Sequence, residues 1–279
     1  MDEGRPSRTA LSAAAARAAH PLVDERPLIF TDPLAGRLLG GLADEMIGYH
    51  RGNGGHIILA GTRTITTVRS RYAEARAGAF DQYAVLGAGL DTYAFRAPAG
   101  IRVFEVDHPA TQEWKKGLLD AAGIAVPENA ALVPVDFEKP DGPVPPLEAA
   151  GFDTARPALV SWLGVSYFLT RDAVAGTLAE IGRLAPGTEL VMDYALPPGL
   201  RDAEGDAYAE IAAQVTREAG EPSRSRFAPD EVDALLAEHG LDVVENVTLE
   251  RAVPPEAWRR TDALRPFDYF RLLRAVVTG

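Results

Sequence analysis

Tyr83-Ala84-Val85-Leu86-Gly87-Ala88-Gly89-Leu90-Asp91-Thr92 decides the fold. A short apolar run passes directly into a turn made of Gly87, Ala88 and Gly89. A continuous apolar run reads as a strand buried on both faces, the habit of parallel sheets covered by helices. Glycines after it let the backbone turn sharply and let a ligand approach the main chain. A lone Gly-x-Gly is weak by itself. Its usual companion is an acidic residue about 20 positions on, at the end of the next strand, set to bind ribose hydroxyls. Phe104-Glu105-Val106-Asp107 puts Asp107 there, followed directly by His108. The plain alternative is a tight strand-to-helix turn and a surface carboxylate.

Outward from this turn the pattern alternates. Apolar runs at Tyr83–Leu86, Ile101–Val106, Ala130–Val135, Ala158–Leu163 and Glu189–Met192 predict five strands, the last ending at Asp193. Helices are expected at about 109–122, 145–150 and 171–184, the last with Thr170 as N-cap and Pro186-Gly187 as its stop. A helix opens at Pro229 and ends at Gly240, and Leu241–Leu249 and Phe267–Val277 read as two closing strands. The fold class is therefore α/β: a Rossmann-like, doubly wound, mostly parallel seven-stranded sheet with N-terminal helices and an inserted lid. Residues 1–80 are expected to form an N-terminal helical cap and 81–279 the core. The cap holds an alanine-rich helix over 8–19 and a short helix started by Asp32-Pro33. Three glycines in 51–55 predict a mobile link, and a helix over 61–78 carries Arg63, Arg69 and Arg71. The lid is residues 195–228, where Pro197-Pro198-Gly199, a helical stretch near 203–219 and Gly220-Glu221-Pro222 break the sheet pattern.

The length of 279 residues suits one large α/β domain with a sizeable core. A formal net charge of -12 argues against a nucleic-acid binder, which needs a basic footprint. The absence of cysteine excludes disulfides, thiolate metal sites and a cysteine nucleophile. The five histidines show no metal-ligand spacing. No apolar run approaches the roughly 20 residues needed to cross a bilayer. Leu11–Ala19 is interrupted by Arg17 and preceded by acidic residues, so it reads as a helix and not a leader. A cytoplasmic chain fits, with a small-molecule partner and neither nucleic acid nor membrane.

The choice of nucleoside follows from the turn. A dinucleotide site usually has a third glycine three residues after the second, for pyrophosphate and close helix packing. Thr92 stands there. S-adenosyl-L-methionine carries no pyrophosphate and does not need the helix end so open. Asp136, at the end of Val133-Pro134-Val135-Asp136-Phe137, can accept a hydrogen bond from an adenine amino group. Phe137 can cover the ring or offer its backbone N–H. The bland reading of Asp136 is a strand-end residue starting a turn.

With these elements in order, the chain resembles the leucine carboxyl methyltransferase-like family of class I methyltransferases, in its bacterial branch of small-molecule metabolism. The matching stretches are Phe30-Thr31-Asp32-Pro33, Arg69-Ser70-Arg71-Tyr72, Leu86 to Thr92, Phe104 to Pro109, Val135-Asp136-Phe137 and Leu184-Ala185-Pro186-Gly187. The resemblance implies a methyl donor, S-adenosyl-L-methionine, lying over Gly87, Ala88, Gly89 and Asp91. Asp107 and His108 would flank its ribose, and Asp136 and Phe137 its adenine. Arg69, with Arg71 as the second choice, would reach its carboxylate, since a guanidinium fork suits a carboxylate. The chain departs from the family in having Leu163 where Glu is frequent and Tyr93 where Arg is frequent. That points away from methylation of a protein tail and toward a metabolite.

The expected reaction is in-line displacement at the sulfonium methyl, driven by positioning and exclusion of water. O-methylation of a carboxylate or hydroxyl is the leading reading, and N- or C-methylation of an aromatic or heterocyclic metabolite is its alternative. A carboxylate needs no base, whereas other acceptors can use one. His56, Tyr167 and Tyr194 are the candidate catalytic residues, with pocket wall or core as the alternative for each tyrosine. A nicotinamide-dependent oxidoreductase is disfavoured by Thr92 and by the lack of a Tyr-x-x-x-Lys pair. A non-catalytic S-adenosyl-L-methionine-binding protein stays open.

Overall fold

The computed structural model describes residues 7–279. Seven strands form one sheet: β1 (Gln82–Leu86), β2 (Arg102–Asp107), β3 (Ala130–Pro134), β4 (Leu159–Trp162), β5 (Glu189–Ala195), β6 (Leu241–Thr248) and β7 (Phe270–Val277). Their order is β3-β2-β1-β4-β5-β7-β6. Strands β1 to β5 run parallel, and β7 lies antiparallel between β5 and β6. β1, β4 and β5 are buried along their whole length, which is why they read as unbroken apolar runs. Edge strand β6 is largely exposed or half-buried. Strand order reverses at β1/β4, and such a reversal leaves a crevice at the carboxyl ends of the strands where open α/β sheets bind ligands.

Nine helices surround the sheet among the described residues: α1 (Arg8–Val23), α2 (Ala35–Leu38), α3 (Ala43–Gly52), α4 (Ile57–Ala77), α5 (Pro109–Ala121), α6 (Val144–Ala149), α7 (Arg171–Ile181), α8 (Ala203–Glu218) and α9 (Pro229–Glu238). No helix among the described residues is long and apolar enough to cross a membrane. The first six residues of the expected cap, with the acidic residues before α1, lie outside the described residues.

The helices of the cap share a core with the sheet. Ala73 and Ala77 of α4 pack with Tyr83, Val85, Val103, Leu159 and Val191. α1 runs one turn past the expected end, through Pro21, because His20 anchors it. His20 Nδ1 lies 2.8 Å from Asp24, and its Nε2 accepts from Ile29 N at 3.0 Å. Asp32 starts the next turn by accepting from the N–H groups of Leu34 and Ala35, while Arg17 pairs with its other oxygen at 2.9 Å.

Residues 51–55 differ from the expected mobile link. They straddle the end of α3, whose first turn is acidic (Asp44, Glu45) and whose last is basic (His50, Arg51), matching the helix dipole. The Gly54 carbonyl accepts from Arg63, and a Cβ on Gly54 would fall 2.8 Å from the His50 carbonyl oxygen. Arg63 also grips Asp24 with two nitrogens and meets His50 Nδ1 at 3.0 Å. The segment is tied down by a buried arginine.

β5 also differs, continuing two residues beyond Asp193 because β7 pairs with it as far as Ala195 and Phe270. Side chains alternate along a strand. Asp193 and Tyr194 therefore point to opposite faces of the sheet.

Candidate functional site

The glycine turn is built by main-chain geometry. Gly87 N and Ala88 N both donate to the Val106 carbonyl, at 2.7 and 3.1 Å, which folds the turn back onto β2. Gly87 has φ +70°, a region that side chains disfavour. A Cβ there would stand 2.1 Å from a methyl carbon of Val165. Asp107 closes the turn from the next strand. One of its carboxylate oxygens accepts from Gly89 N at 2.5 Å and the other from His108 N at 2.7 Å. Asp107 is buried, and burial pushes its carboxyl up from the usual range. Behind it Glu105 forms a buried ion pair with Lys115 of α5, whose ammonium also donates to the Asp91 carbonyl at 2.7 Å. Burial drives Glu105 up to about 7. The Glu105-x-Asp107 pattern thus divides its labour: Glu105 ties the turn to a helix, and Asp107 faces the ligand space.

That space is one cavity of about 940 Å³. Drug-sized ligands occupy pockets of roughly 300–1,000 Å³, so this volume is generous for a single one. Gly87, Ala88, Gly89, Asp91, Asp107, His108, Asp136 and Phe137 all line it. Asp91 accepts from Tyr93 N at 2.7 Å and so shapes the turn as well as facing the cavity. Asp136 follows β3, half-buried, and accepts from Glu138 N at 3.1 Å. Phe137 packs beside Trp162, ring centroids 6.3 Å apart. His108 lines the cavity but its Nδ1 is engaged as N-cap of α5, accepting from Ala110 N at 3.2 Å.

Arg69 enters from α4. Ile58, Thr62, Ile65, Thr66 and Arg69 recur at three- and four-residue spacing and all face the cavity. The Arg69 guanidinium pairs with Asp193 at 3.2 Å, and the other Asp193 oxygen accepts from Gly164 N at 2.7 Å. Gly164, at φ +78°, leaves the guanidinium room: a Cβ there would come within 2.5 Å of it. Burial works against the Arg69 charge, but Asp193 and Tyr167 outweigh it and hold its pKa above the ordinary value. Burial opposes the Asp193 charge too, and raises its carboxyl despite Arg69.

Three sequence-based candidates stand elsewhere. Arg71 is off the cavity face of α4 and donates to the Ile29 carbonyl at 3.0 Å, stitching the cap together. His56 is exposed and serves as N-cap of α4, its ring accepting from Ile58 N. Tyr194 is fully buried on the face opposite Asp193, in the core with Met192 and Leu273, and its hydroxyl donates to Asn246 at 2.8 Å. None of the three lines the cavity. Tyr167 does, packed between Phe168 and Phe270, and burial raises its pKa, which keeps it a protonated phenol at neutral pH.

Residues of the 195–228 segment, among them Tyr208, Thr216 and Glu221, line the cavity as its roof. Tyr208 of α8 lies over Gly61 of α4, where a Cβ would press within 2.6 Å of its ring. Its hydroxyl meets Thr62 Oγ1 at 3.2 Å. After α8, Arg224 N and Ser225 N donate to the Tyr167 carbonyl, and Phe227 N to that of Ala195. Glu221 latches this segment to the start of α1, accepting from the N–H groups of Arg8 and Thr9 and from the hydroxyls of Ser7 and Thr9. The first turn of α1 lies on the glycine turn, with Ala10 Cβ 3.0 Å from where a Cβ on Gly89 would be.

Comparison with known proteins agrees with this architecture. The family model described as leucine carboxyl methyltransferase matches residues 10–182. The chain is 36% identical over 200 residues to "Putative S-adenosyl-L-methionine-dependent methyltransferase YktD" of Bacillus subtilis (strain 168), covering 70% of this chain and 65% of that one. It is 33% identical over 196 residues to a Mycolicibacterium smegmatis protein of the same description, covering 63% of this chain and 58% of the relative. The matches thus span a little under two thirds of those relatives' lengths. A crystal structure titled as a putative methyltransferase from Thermobifida fusca superposes with TM-score 0.57 at 19% identity, covering 100% of this chain and 97% of that one, which shows a shared fold. The chain belongs to the leucine carboxyl methyltransferase family.

Proposed function

We propose that this family member transfers a methyl group from S-adenosyl-L-methionine to an oxygen of a small-molecule acceptor. The observation that carries the reading is Asp107: a buried carboxylate at the end of β2, clamped by Gly89 N and His108 N, facing a cavity at the strand-order reversal. The residues present fit the donor's chemistry. Each Asp107 oxygen keeps acceptor capacity for a ribose hydroxyl beyond the one N–H it already receives. Asp136 and Phe137 suit an adenine amino group and ring. Arg69 spends one N–H on Asp193, which leaves further N–H groups of its fork for the donor's carboxylate.

When bound, the donor supplies a methyl group on a cationic sulfur, a good leaving group. The protein contributes placement and dryness. The glycine turn and Asp107 fix the nucleoside, and Arg69 fixes the other end of the donor. Residues 195–228, with α1 and α4, form the roof that closes over the acceptor and keeps water out.

Calorimetry with S-adenosyl-L-homocysteine and with NAD tests the reading. Binding of the homocysteine product, and none of NAD, is expected. NAD binding alone would overturn it.

A further inference from the structure

We propose that the acceptor is a flat, uncharged, hydroxylated arene, and that the cavity discriminates against carboxylic acids. This rests on the methyl-transfer reading above and narrows its acceptor to one chemical class.

Charge is the first ground. Seven carboxylates line the cavity: Glu45, Glu74, Asp91, Asp107, Asp136, Glu138 and Glu221, of which Glu74 is paired with Arg96 at 2.6 Å. Against them stand three arginines among the described residues, and every one is already paired: Arg17 with Asp32 at 2.9 Å, Arg69 with Asp193 at 3.2 Å, and Arg224 with Glu138 at 3.3 Å. No lysine of the described chain lines it. His50 is held neutral, its pKa driven to about 4 by burial and by the neighbouring Arg63 charge. His108 has its Nδ1 lone pair engaged as a helix cap. With Arg69 shared between Asp193 and the donor's own carboxylate, an anionic acceptor finds a negative field and, beyond the donor's sulfonium, no unpaired cation. An unpaired buried charge is strongly rejected.

Aromatic surface is the second. Phe168, Tyr167, Phe270, Tyr269 and Tyr208 form an unbroken run of rings, with successive centroids 4.5, 4.8, 4.4 and 5.3 Å apart. All five line the cavity. Such a wall favours a flat π-system through offset and edge contacts.

A hydroxyl reader is the third. Thr62 Oγ1 donates its one proton to the Ile58 carbonyl at 2.6 Å. At its 3.2 Å contact with Tyr208, Thr62 is therefore the acceptor and the tyrosine hydroxyl the donor. The Tyr208 oxygen then keeps its lone pairs for a ligand O–H. Burial pushes Tyr208 up to about 12, so it stays an uncharged phenol at neutral pH. In the transfer the acceptor oxygen forms the new O–CH₃ bond, the S–CH₃ bond breaks with its electron pair returning to sulfur, and the hydroxyl proton passes to one of the carboxylates lining the cavity.

A matched pair of probes tests this on the full chain. 2-Naphthol and 2-naphthoate share one ring system and differ in the oxygen group. Calorimetry on protein saturated with S-adenosyl-L-homocysteine should show 2-naphthol binding at least tenfold more tightly than 2-naphthoate. With S-adenosyl-L-methionine, 2-naphthol should yield its methyl ether and 2-naphthoate no methyl ester. Tyr208→Phe, which keeps the ring, should weaken 2-naphthol about tenfold and leave naphthalene and S-adenosyl-L-homocysteine unchanged. Equal or tighter binding of 2-naphthoate overturns the proposal. So does failure of both probes while S-adenosyl-L-homocysteine binds, or a Tyr208→Phe effect equal for naphthol and naphthalene. Failure of S-adenosyl-L-homocysteine itself to bind would instead overturn the methyl-transfer reading.

Discussion

Two parts of one cavity are held in different ways. At the strand ends, Gly87 and Ala88 hang on one carbonyl of β2, and Asp107 is fixed by two backbone N–H groups. Under the roof, Tyr208 leans on Thr62 and on the space over Gly61, and the segment after α8 reaches α1 through one carboxylate, Glu221. The first part is main-chain geometry formed within about two dozen residues of sequence. The second is a set of side chains from distant elements. A turn set by backbone has few ways to vary, whereas a wall of side chains can change its occupant by single substitutions. The donor end should therefore be brittle and the roof adjustable.

The largest test of that contrast is Gly87→Ala against Gly61→Ala. The first forces a side chain into a left-handed backbone and into Val165, and should cost about 3 kcal/mol in thermal unfolding and abolish S-adenosyl-L-homocysteine binding. The second should shift Tyr208, with a smaller loss of stability and intact product binding. Equal effects would erase the distinction.

Asp107→Ala comes next, with a loss of about 2–3 kcal/mol in S-adenosyl-L-homocysteine affinity by calorimetry, since charged hydrogen bonds to two hydroxyls are removed. An unchanged dissociation constant would move the ribose elsewhere.

Acid should weaken the fold through the cap, at one buried histidine. His50 of α3 titrates near 4 in the fold and near 6.5 in an unfolded chain. Between those values the unfolded state binds more protons, so stability is present above 6.5 and is lost as pH falls toward 4. About 2 kcal/mol should disappear across that window, and His50→Gln should flatten the curve. Denaturant unfolding at stepped pH reads it directly.

The smallest effect is expected at the latch. Glu221→Gln removes a charged acceptor from the start of α1, worth about 1 kcal/mol. Hydrogen exchange should rise in residues 8–10 and 221–226 while 83–92 stays protected. Unchanged exchange would mean the roof is held by packing alone.

The same contrast explains what could be read from the residues. Buried parallel strands announce themselves as apolar runs, so all seven strands fall where the pattern predicts, within a few residues. Asp107 and Asp136 follow from strand ends, and both line the cavity. Asp193 looked like the end of a strand because a carboxylate inside a buried run is rare, yet β7 carries the strand onward and alternation then sends Tyr194 into the core. His56 looked like a base because a helix cap and a catalytic imidazole are the same residue type, and only its exposure separates them. Arg69 and Arg71 lie two positions apart and so on different faces of one helix. The wall of Tyr167, Tyr208, Tyr269 and Phe270 comes from three distant stretches, and no local spacing reveals it.

The latch also bears on the order in which the molecule is assembled. α1 is the earliest of the described helices to be made, yet it rests on Leu90 through Arg17 and on Glu221 at its first turn. Just after it, Glu25 is bonded to Thr261 and Asp262. Those partners are synthesised more than two hundred residues later in the last two cases. Synthesis proceeds from the amino terminus, and contacts this remote in sequence close slowly. The strand-and-helix core can pair as it emerges, but the first helix must wait for nearly the whole chain before its seat exists. The earliest-made of the described helices is thus placed among the last, and an alanine-rich helix with good local propensity is well suited to that wait.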